Sequence, residues 1–453
     1  MAPRPTRLVL ALLAALACGA GPLAHAQSRD ALFDDDDEAA APAASPGGGI
    51  RFYGSTELDV ARSIDDPEHW SHLRWRNLVG AQGGAAGIKW KLGARIDLDG
   101  AYAGRNEDVY PAAVRMDQKL DVELRENYLD ASVGGIEWRL GKQNIVWGEL
   151  VGLFVADVVS ARDTRDFLQT ELDNVRRTQW AVRAEKFSGD WHGELVWIPV
   201  QTYDNIGKPG ADFYPYPAPP TPGYGYAFAQ EQRPERNFGN GSFGGRVGVL
   251  KNGWDVATFA YASRDVNATF ERSQVVSEGI PTLLYTPVHD RITQIGGTAS
   301  KDFGGWVLKS EAVWTTGRRL TVTRLDDGDG LKKSQSFDWA LGADVNPLNA
   351  LRVNLQLFGR SLASHDASML VDKHETGGSV MGTYAIASNL DAQMLWVTSF
   401  NRSEGWLAPV VIWRLTPNTR LRFGADFFYG PQTGAIGRYD SKDRVYGELR
   451  YTY

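Results

Sequence analysis

Residues 136–180 read IEWRLGKQNIVWGELVGLFVADVVSARDTRDFLQTELDNVRRTQW. The stretch opens as an alternating strand, with Ile136, Trp138 and Leu140 on one face and Glu137 and Arg139 on the other. The alternation breaks at Trp147-Gly148. A long run follows without it, carrying Glu149, Asp157, Asp163, Asp166, Glu171 and Asp173 beside Arg162, Arg165 and Arg176. The two-residue rhythm returns at Gln179–Ala184. A loop of that length inside a compact domain is uncommon and tends to carry function. The pattern predicts a strand, a loop folded inward, then the next strand.

The same rhythm runs through the rest of the chain. Ile88, Trp90, Leu92, Ala94, Ile96 and Leu98 alternate with Lys89, Lys91, Arg95, Asp97 and Asp99. Leu351, Val353, Leu355 and Leu357 alternate with Arg352, Asn354 and Gln356, and Leu421, Phe423 and Ala425 with Arg420, Arg422 and Asp426. One oily and one wet face is what this period means. About 18 such strands are expected, starting near Phe52, Leu73, Ile88, Leu120, Ile136, Gln179, Trp191, Ser242, Trp254, Ile292, Trp306, Phe337, Leu351, Ser379, Leu390, Leu407, Leu421 and Arg444. Sixteen is the alternative count, and an even number suits a bacterial membrane barrel.

The connections alternate in length. Tight-turn residues are expected at Gly83-Gly84, Gly134-Gly135, Ser188-Gly189, Asn252-Gly253, Gly304-Gly305, Asn346-Pro347, Ser388-Asn389 and Pro417-Asn418. Most others are longer: 104–118, 146–176, 201–239, 264–289, 316–335, 362–376 and 429–441. If residue 50 starts in the periplasm, the short turns face inward to the cell and the long loops outward, the asymmetry of outer-membrane barrels. A soluble sandwich has no reason to sort its loops. Aromatics recur at strand ends, among them Trp138, Trp180, Trp191, Trp254, Trp306, Trp396 and Trp413, where amphipathic rings suit the headgroup level.

Both ends agree. Arg4 and Arg7 precede an apolar run to Ala20, then Ala24-His25-Ala26, the layout of a cleaved secretory signal at 1–26. The run is too short to span a bilayer as a helix. The only cysteine, Cys18, lies inside it, which excludes a disulfide scaffold. Residues 27–49, with Asp34–Asp37 and Glu38, read as a disordered acidic periplasmic tail. Three arginines against six acids in 1–49 account for part of the net charge of −7. The remainder is nearly neutral, with no basic excess for nucleic acid. At the other end Val445, Gly447, Leu449, Tyr451 and Tyr453 share a face. A final strand closing on an aromatic resembles the assembly signal of outer-membrane barrels, and implies the barrel-assembly machinery as a partner.

The residues argue weakly for catalysis. The histidines show no metal-pair spacing, and no G-x-S-x-G pattern is present; no catalytic residue, metal ligand or cofactor is assigned. The inward charges say more. Arg74, Arg76, Lys89, Lys91 and Arg95 lie on early strands, and Arg420, Arg422, Arg444 and Arg450 on the last two. Closure puts last beside first, so these form one basic arc, partly neutralised by Glu57, Asp59, Asp97, Asp99 and Glu448. The loop residues Glu149, Asp157, Arg162, Asp163, Arg165 and Asp166 are expected to form a pore constriction opposite that arc. Opposed charges across a narrow opening set ion selectivity.

The segment Arg139-Leu140-Gly141-Lys142-Gln143, Trp147-Gly148-Glu149, Asp157-Val158-Val159 and Arg165-Asp166-Phe167 resembles a proteobacterial outer-membrane family known as domain of unknown function 1302. That family carries G-K/R-Q-x-x-x-W-G-E, then D-V-V-N-P and R-E-F. This chain has Ser160-Ala161 in place of Asn-Pro, and Asp166 in place of Glu. The resemblance covers about residues 136–187. It implies a porin-like barrel linked with movement of hydrophobic compounds.

The expectation is therefore an all-β, transmembrane antiparallel barrel over 50–453 in the outer membrane of a Gram-negative bacterium. Its partners would be membrane lipid and a small-molecule solute, and it would act as a porin-like channel narrowed by loop 146–176. The alternative is an export or uptake channel for a hydrophobic compound coupled to an inner-membrane transporter.

Overall fold

The computed structural model describes residues 49–453 apart from 105, 151, 153, 154 and 169–171, with the side chains of 172 and 173 also left out. The expected leader (1–26) and all but the last residue of the expected tail (27–49) lie outside the described residues, as does Glu171.

Eighteen antiparallel strands close into a barrel. They are β1 (Arg51–Ser63), β2 (Trp70–Ala85), β3 (Ile88–Asp99), β4 (in two pieces, Leu120–Leu124 and Asn127–Val133), β5 (Ile136–Gln143) and β6 (Gln179–Ser188). Then come β7 (Trp191–Val200), β8 (Ser242–Lys251), β9 (Trp254–Arg264), β10 (Arg291–Asp302), β11 (Trp306–Thr316) and β12 (Ser336–Leu348). The last six are β13 (Leu351–Leu362), β14 (His374–Ala387), β15 (Leu390–Ser399), β16 (Gly405–Thr416), β17 (Thr419–Tyr429) and β18 (Arg444–Thr452). β1 pairs with β2 on one side and β18 on the other, so the ladder has no free edge.

The burial of the wall is inverted relative to a soluble protein. On β1, Glu57 and Asp59 are 4% and 9% exposed, while Leu58 and Val60 between them are 47% and 41% exposed. On β13, Asn354 and Gln356 are buried while Leu355 and Leu357 are exposed. An apolar exterior around a polar interior suits lipid outside and water inside. No described helix is long and apolar enough to cross a membrane.

Two expected turns move. β2 runs through Gly83 and Gly84 to Ala85, and the turn falls at Ala86-Gly87. Gly83 serves packing instead: a Cβ there would meet the Trp90 ring at 2.8 Å. β12 continues through Asn346-Pro347 with a register shift between Val345 and Leu348. Residues 264–289, expected as loop, hold a hairpin of Thr269–Ser277 against Ile280–Val288, with Glu278 and Gly279 at positive φ in its turn. Gly225–Phe228 adds a parallel strand to it. Tyr102, Tyr110 and Tyr214 pack against Phe270, Leu283 and Tyr285 of this external sheet.

Candidate functional site

The site is the lumen and the loop inside it. Beyond β5 the chain leaves the wall. Trp147 is fully buried, with Phe259 at 5.2 Å and Tyr261 at 5.8 Å between ring centroids. Its indole Nε1 donates to Glu194 Oε1 at 2.9 Å. Gly244 is what admits the ring, since a Cβ there would lie 3.0 Å from it. Ile145, Ala156, Val158 and Val159 extend the same cluster against Ala181, Val196, Ile198 and Val313 of the inner wall. Each fully buried aliphatic of this size contributes about 1.5–3 kcal/mol. Among the described residues of the loop, Ile145, Ala156, Val158 and Val159 thus find their burial inside the barrel.

The loop then meets Glu311 of β11. Its Oε1 accepts the backbone N–H groups of Glu149 (2.5 Å) and Leu150 (2.8 Å), and its Oε2 accepts that of Ala156 (2.7 Å). Leu150 lies over Gly342 of β12, where a Cβ would collide with it. The Glu149 carboxylate points to Thr298 (3.1 Å) and Arg246 (3.6 Å).

The far end crosses to the seam where β18 meets β1 and β2. Asp157 pairs with Arg176 at 3.0 Å, and Arg162 donates to the Asp157 carbonyl at 3.0 Å. Asp166 lies 3.2 Å from Arg444 and 2.9 Å from His72, whose other ring nitrogen is 2.8 Å from Asp99. Asp163 pairs with Arg165 and lies 3.9 Å from Arg95, and Arg165 also reaches Asp121. Burial opposes ionisation of Asp163, but the Arg165 guanidinium outweighs it and holds the carboxyl at about 2. Burial likewise opposes Asp166, and Arg444 with His72 holds it well below the usual carboxylate range.

The residues of the expected arc lie on neighbouring strands, and the cross-strand register shows what faces what. One row reads Arg420, Arg450, Glu57, Arg76, Asp97, Asp121 across β17, β18, β1, β2, β3 and β4. The next reads Arg422, Glu448, Asp59, Arg74, Asp99. Arg76 binds Asp97 at 2.8 Å, Arg74 pairs with Asp59, Arg95 with Glu123 (3.2 Å), Arg420 with Glu448 (3.0 Å) and Arg444 with Asp426 (2.8 Å). Lys91 pairs with Glu126 at 2.6 Å, and Lys89 is exposed near the β2–β3 turn. The wall here mixes both signs, with like neighbours at Arg420–Arg450, Glu448–Asp59 and Asp97–Asp121. Asp163 and Asp166 touch it directly, and the space left between loop and arc at that level, lined by His72, Arg74, Arg76, Asp97 and Asp121, is about 30 Å³, room for little more than a water.

The open space lies on the other side. A cavity of about 520 Å³ sits between the loop and the outer ends of β9–β16. Val155, Val158, Ile292, Val313, Phe358 and Ile436 give it apolar lining. Most of its charges come as pairs: Arg318 with Asp265 (2.6 Å), Arg360 with Asp338 (2.5 Å), and Arg402 with Asp372 (3.0 Å) and Glu375 (3.3 Å); Glu404 instead accepts the backbone N–H groups of Ile436 (2.9 Å) and Gly437 (2.8 Å). Arg162 and Asp157 reach it from the loop.

Glu311, His72, Glu194 and this β9–β16 lining were missed in the sequence. Glu311 alternates inward like its neighbours, and nothing local marks it as the acceptor for a loop so far away in the chain.

No protein-family model matches the chain, and no curated protein matches it. Solved structures do. OccAB3 of Acinetobacter baumannii superposes with a TM-score of 0.51 at 8% identity, covering 89% of this chain and 99% of that one. The fold is that of an outer-membrane β-barrel. OccK9 (OpdG) of Pseudomonas aeruginosa gives 0.50 at 9% identity over 89% and 97%, and OccAB4 of A. baumannii 0.51 at 9% over 90% and 100%. At these identities the likeness is one of fold. The closed ladder and apolar exterior suit a barrel with lipid outside and water within.

Proposed function

We propose that this barrel is a channel for passive passage of a small solute, and that loop 146–176 narrows its lumen. The observation that carries the reading is the cavity of about 520 Å³ left between the loop and β9–β16. Glu149, Asp157, Arg162, Asp163, Arg165 and Asp166 then act in two ways. Asp163, Arg165 and Asp166 fasten the loop to the β18–β4 side, and Asp157 and Arg162 border the space that remains. The arc of Arg74, Arg76, Arg95, Arg420, Arg422, Arg444 and Arg450 serves chiefly as the fastening surface. The solute passes on the opposite side, along walls whose guanidinium and carboxylate groups are mostly paired. A 520 Å³ space falls within the range of small-molecule sites.

Paired lining charges give weak selection by net charge. Recording of purified protein in a planar lipid bilayer tests this: stepwise conductance with a permeability ratio for K⁺ over Cl⁻ within a few-fold of unity is expected. Replacing Arg74, Arg76 and Arg420 by Ser should leave that ratio nearly unchanged. Absence of steps would refute the channel, and a large shift in the ratio would return the arc to the path.

A second reading is movement of a hydrophobic compound together with an inner-membrane transporter. The apolar lining by Val155, Ile292, Val313, Phe358 and Ile436 favours it. It agrees with the G-K-Q…W-G-E resemblance, and membership of that family is part of the proposal. Block of ionic conductance by an apolar solute would support it. Assembly through the strand ending at Tyr453 belongs to the same proposal, and the activity proposed is passage, not catalysis.

A further inference from the structure

The register of β6 and β7 sets Glu185 directly opposite Glu194, and that of β5 and β6 sets Glu137 opposite Glu185. Like charges directly opposed across a ladder are destabilising. His192 stands two residues before Glu194 and so shares its face. Ligand atoms of Glu185, His192 and Glu194 all lie within 4.8 Å of one another, with His192 Nε2 3.2 Å from Glu185 Oε1. Glu185 has Arg183 at 2.6 Å. Glu194 is only 6% exposed; Trp147 donates to its Oε1, and the two nearby cations, Arg183 and its cross-strand partner Arg246, reach other carboxylates, Glu185 at 2.6 Å and Glu149 at 3.6 Å. A buried carboxylate that shares its cations with other acids is costly, and more so beside a second carboxylate.

We propose that Glu185, His192 and Glu194 bind a divalent transition-metal ion on the inner wall, near the turn at Gly189-Asp190. One imidazole and two carboxylates form a mixed nitrogen–oxygen set that suits Zn²⁺ or Mn²⁺ and leaves positions for water. The ion adds positive charge directly between the two opposed acids, where Arg183 and Arg246 are shared with other carboxylates. Glu194 also receives the Trp147 indole, so the ion sits one hydrogen bond from the root of the lumen loop. This assignment rests on strand register and burial. It stands whether or not the barrel conducts.

Equilibrium dialysis of the EDTA-treated full-length barrel against Zn²⁺ tests it. One ion per chain is expected above the level bound by an E185Q/H192Q double variant, with affinity reduced ~10-fold or more in H192Q alone. His365→Gln, in an external loop, should bind like the unaltered protein. Equal binding by the unaltered chain and the double variant would overturn the site. A readout without variants is carbethoxylation of histidine followed by mass spectrometry. Zn²⁺ should protect His192 and not His365; equal modification of His192 with and without Zn²⁺ would also overturn it.

Discussion

The Glu311 carboxylate and the Ala156 amide, 155 residues apart in the chain, meet at 2.7 Å inside the barrel. With the amides of Glu149 and Leu150 on its other oxygen, one wall side chain sets the path of the loop. Glu311→Ala would leave three buried N–H groups unsatisfied, at about 1–3 kcal/mol each. That exceeds what a loop segment tolerates, while the wall ladder is untouched. We predict higher and noisier single-channel conductance with unchanged heat-modifiable gel mobility. Conductance equal to that of the unaltered protein would show that Glu311 does not hold the loop.

At the seam, Asp166→Asn would leave Arg444 and His72 without their shared anion. Arg444 keeps Asp426 and His72 keeps Asp99, so the loss should sit at the lower end of the about 3–5 kcal/mol typical of a broken buried pair. The midpoint of the heat-induced gel shift should fall. The pH dependence follows from Asp163 at about 2 and Asp166 lower still. Their folded values are depressed, so their contribution is complete above the unfolded carboxylate range near pH ~4. It is lost as pH falls towards 2. The fastening should therefore hold at pH 5, and the gel-shift midpoint should drop only below pH ~4.

Asp204 has the opposite sign. Burial pushes its carboxyl up to about 6, against the pull of Arg162, whose backbone N–H donates to it at 2.8 Å. A raised acid favours the folded state when protonated, and that contribution fades as pH rises through 6. Asp204→Asn should remove the dependence. We predict that the variant gains on the order of 2–3 kcal/mol over the unaltered protein at pH 8, and little at pH 4. Parallel stability profiles from pH 4 to 8 would contradict this.

Strand number and facing were legible because each strand carries its own two-residue period, as in Glu57-Leu58-Asp59-Val60. So was the loop's need for burial, written in Leu150–Val159. What was not legible depends on register or distance. Arg74 and Arg76 read as basic until Asp59 and Asp97 are seen across the ladder. Gly83 reads as a turn until the Trp90 ring is found above it. The hairpin at Thr269–Val288 was hidden by taking Glu278-Gly279 as part of a longer loop. Glu185 and Glu194 are nine positions apart in sequence and adjacent only once β6 and β7 pair.

The loop leaves about 30 Å³ against the β18–β4 side, and the proposed passage runs along β9–β16. Cys18, in the expected leader, is the only native cysteine, so introduced thiols report cleanly. Thr376 borders the cavity, and Ser55 is buried on the β18–β4 side. In planar-bilayer recordings, a bulky charged thiol reagent should reduce the current through Thr376→Cys and leave Ser55→Cys unaffected. Block at Ser55→Cys with none at Thr376→Cys would contradict the account.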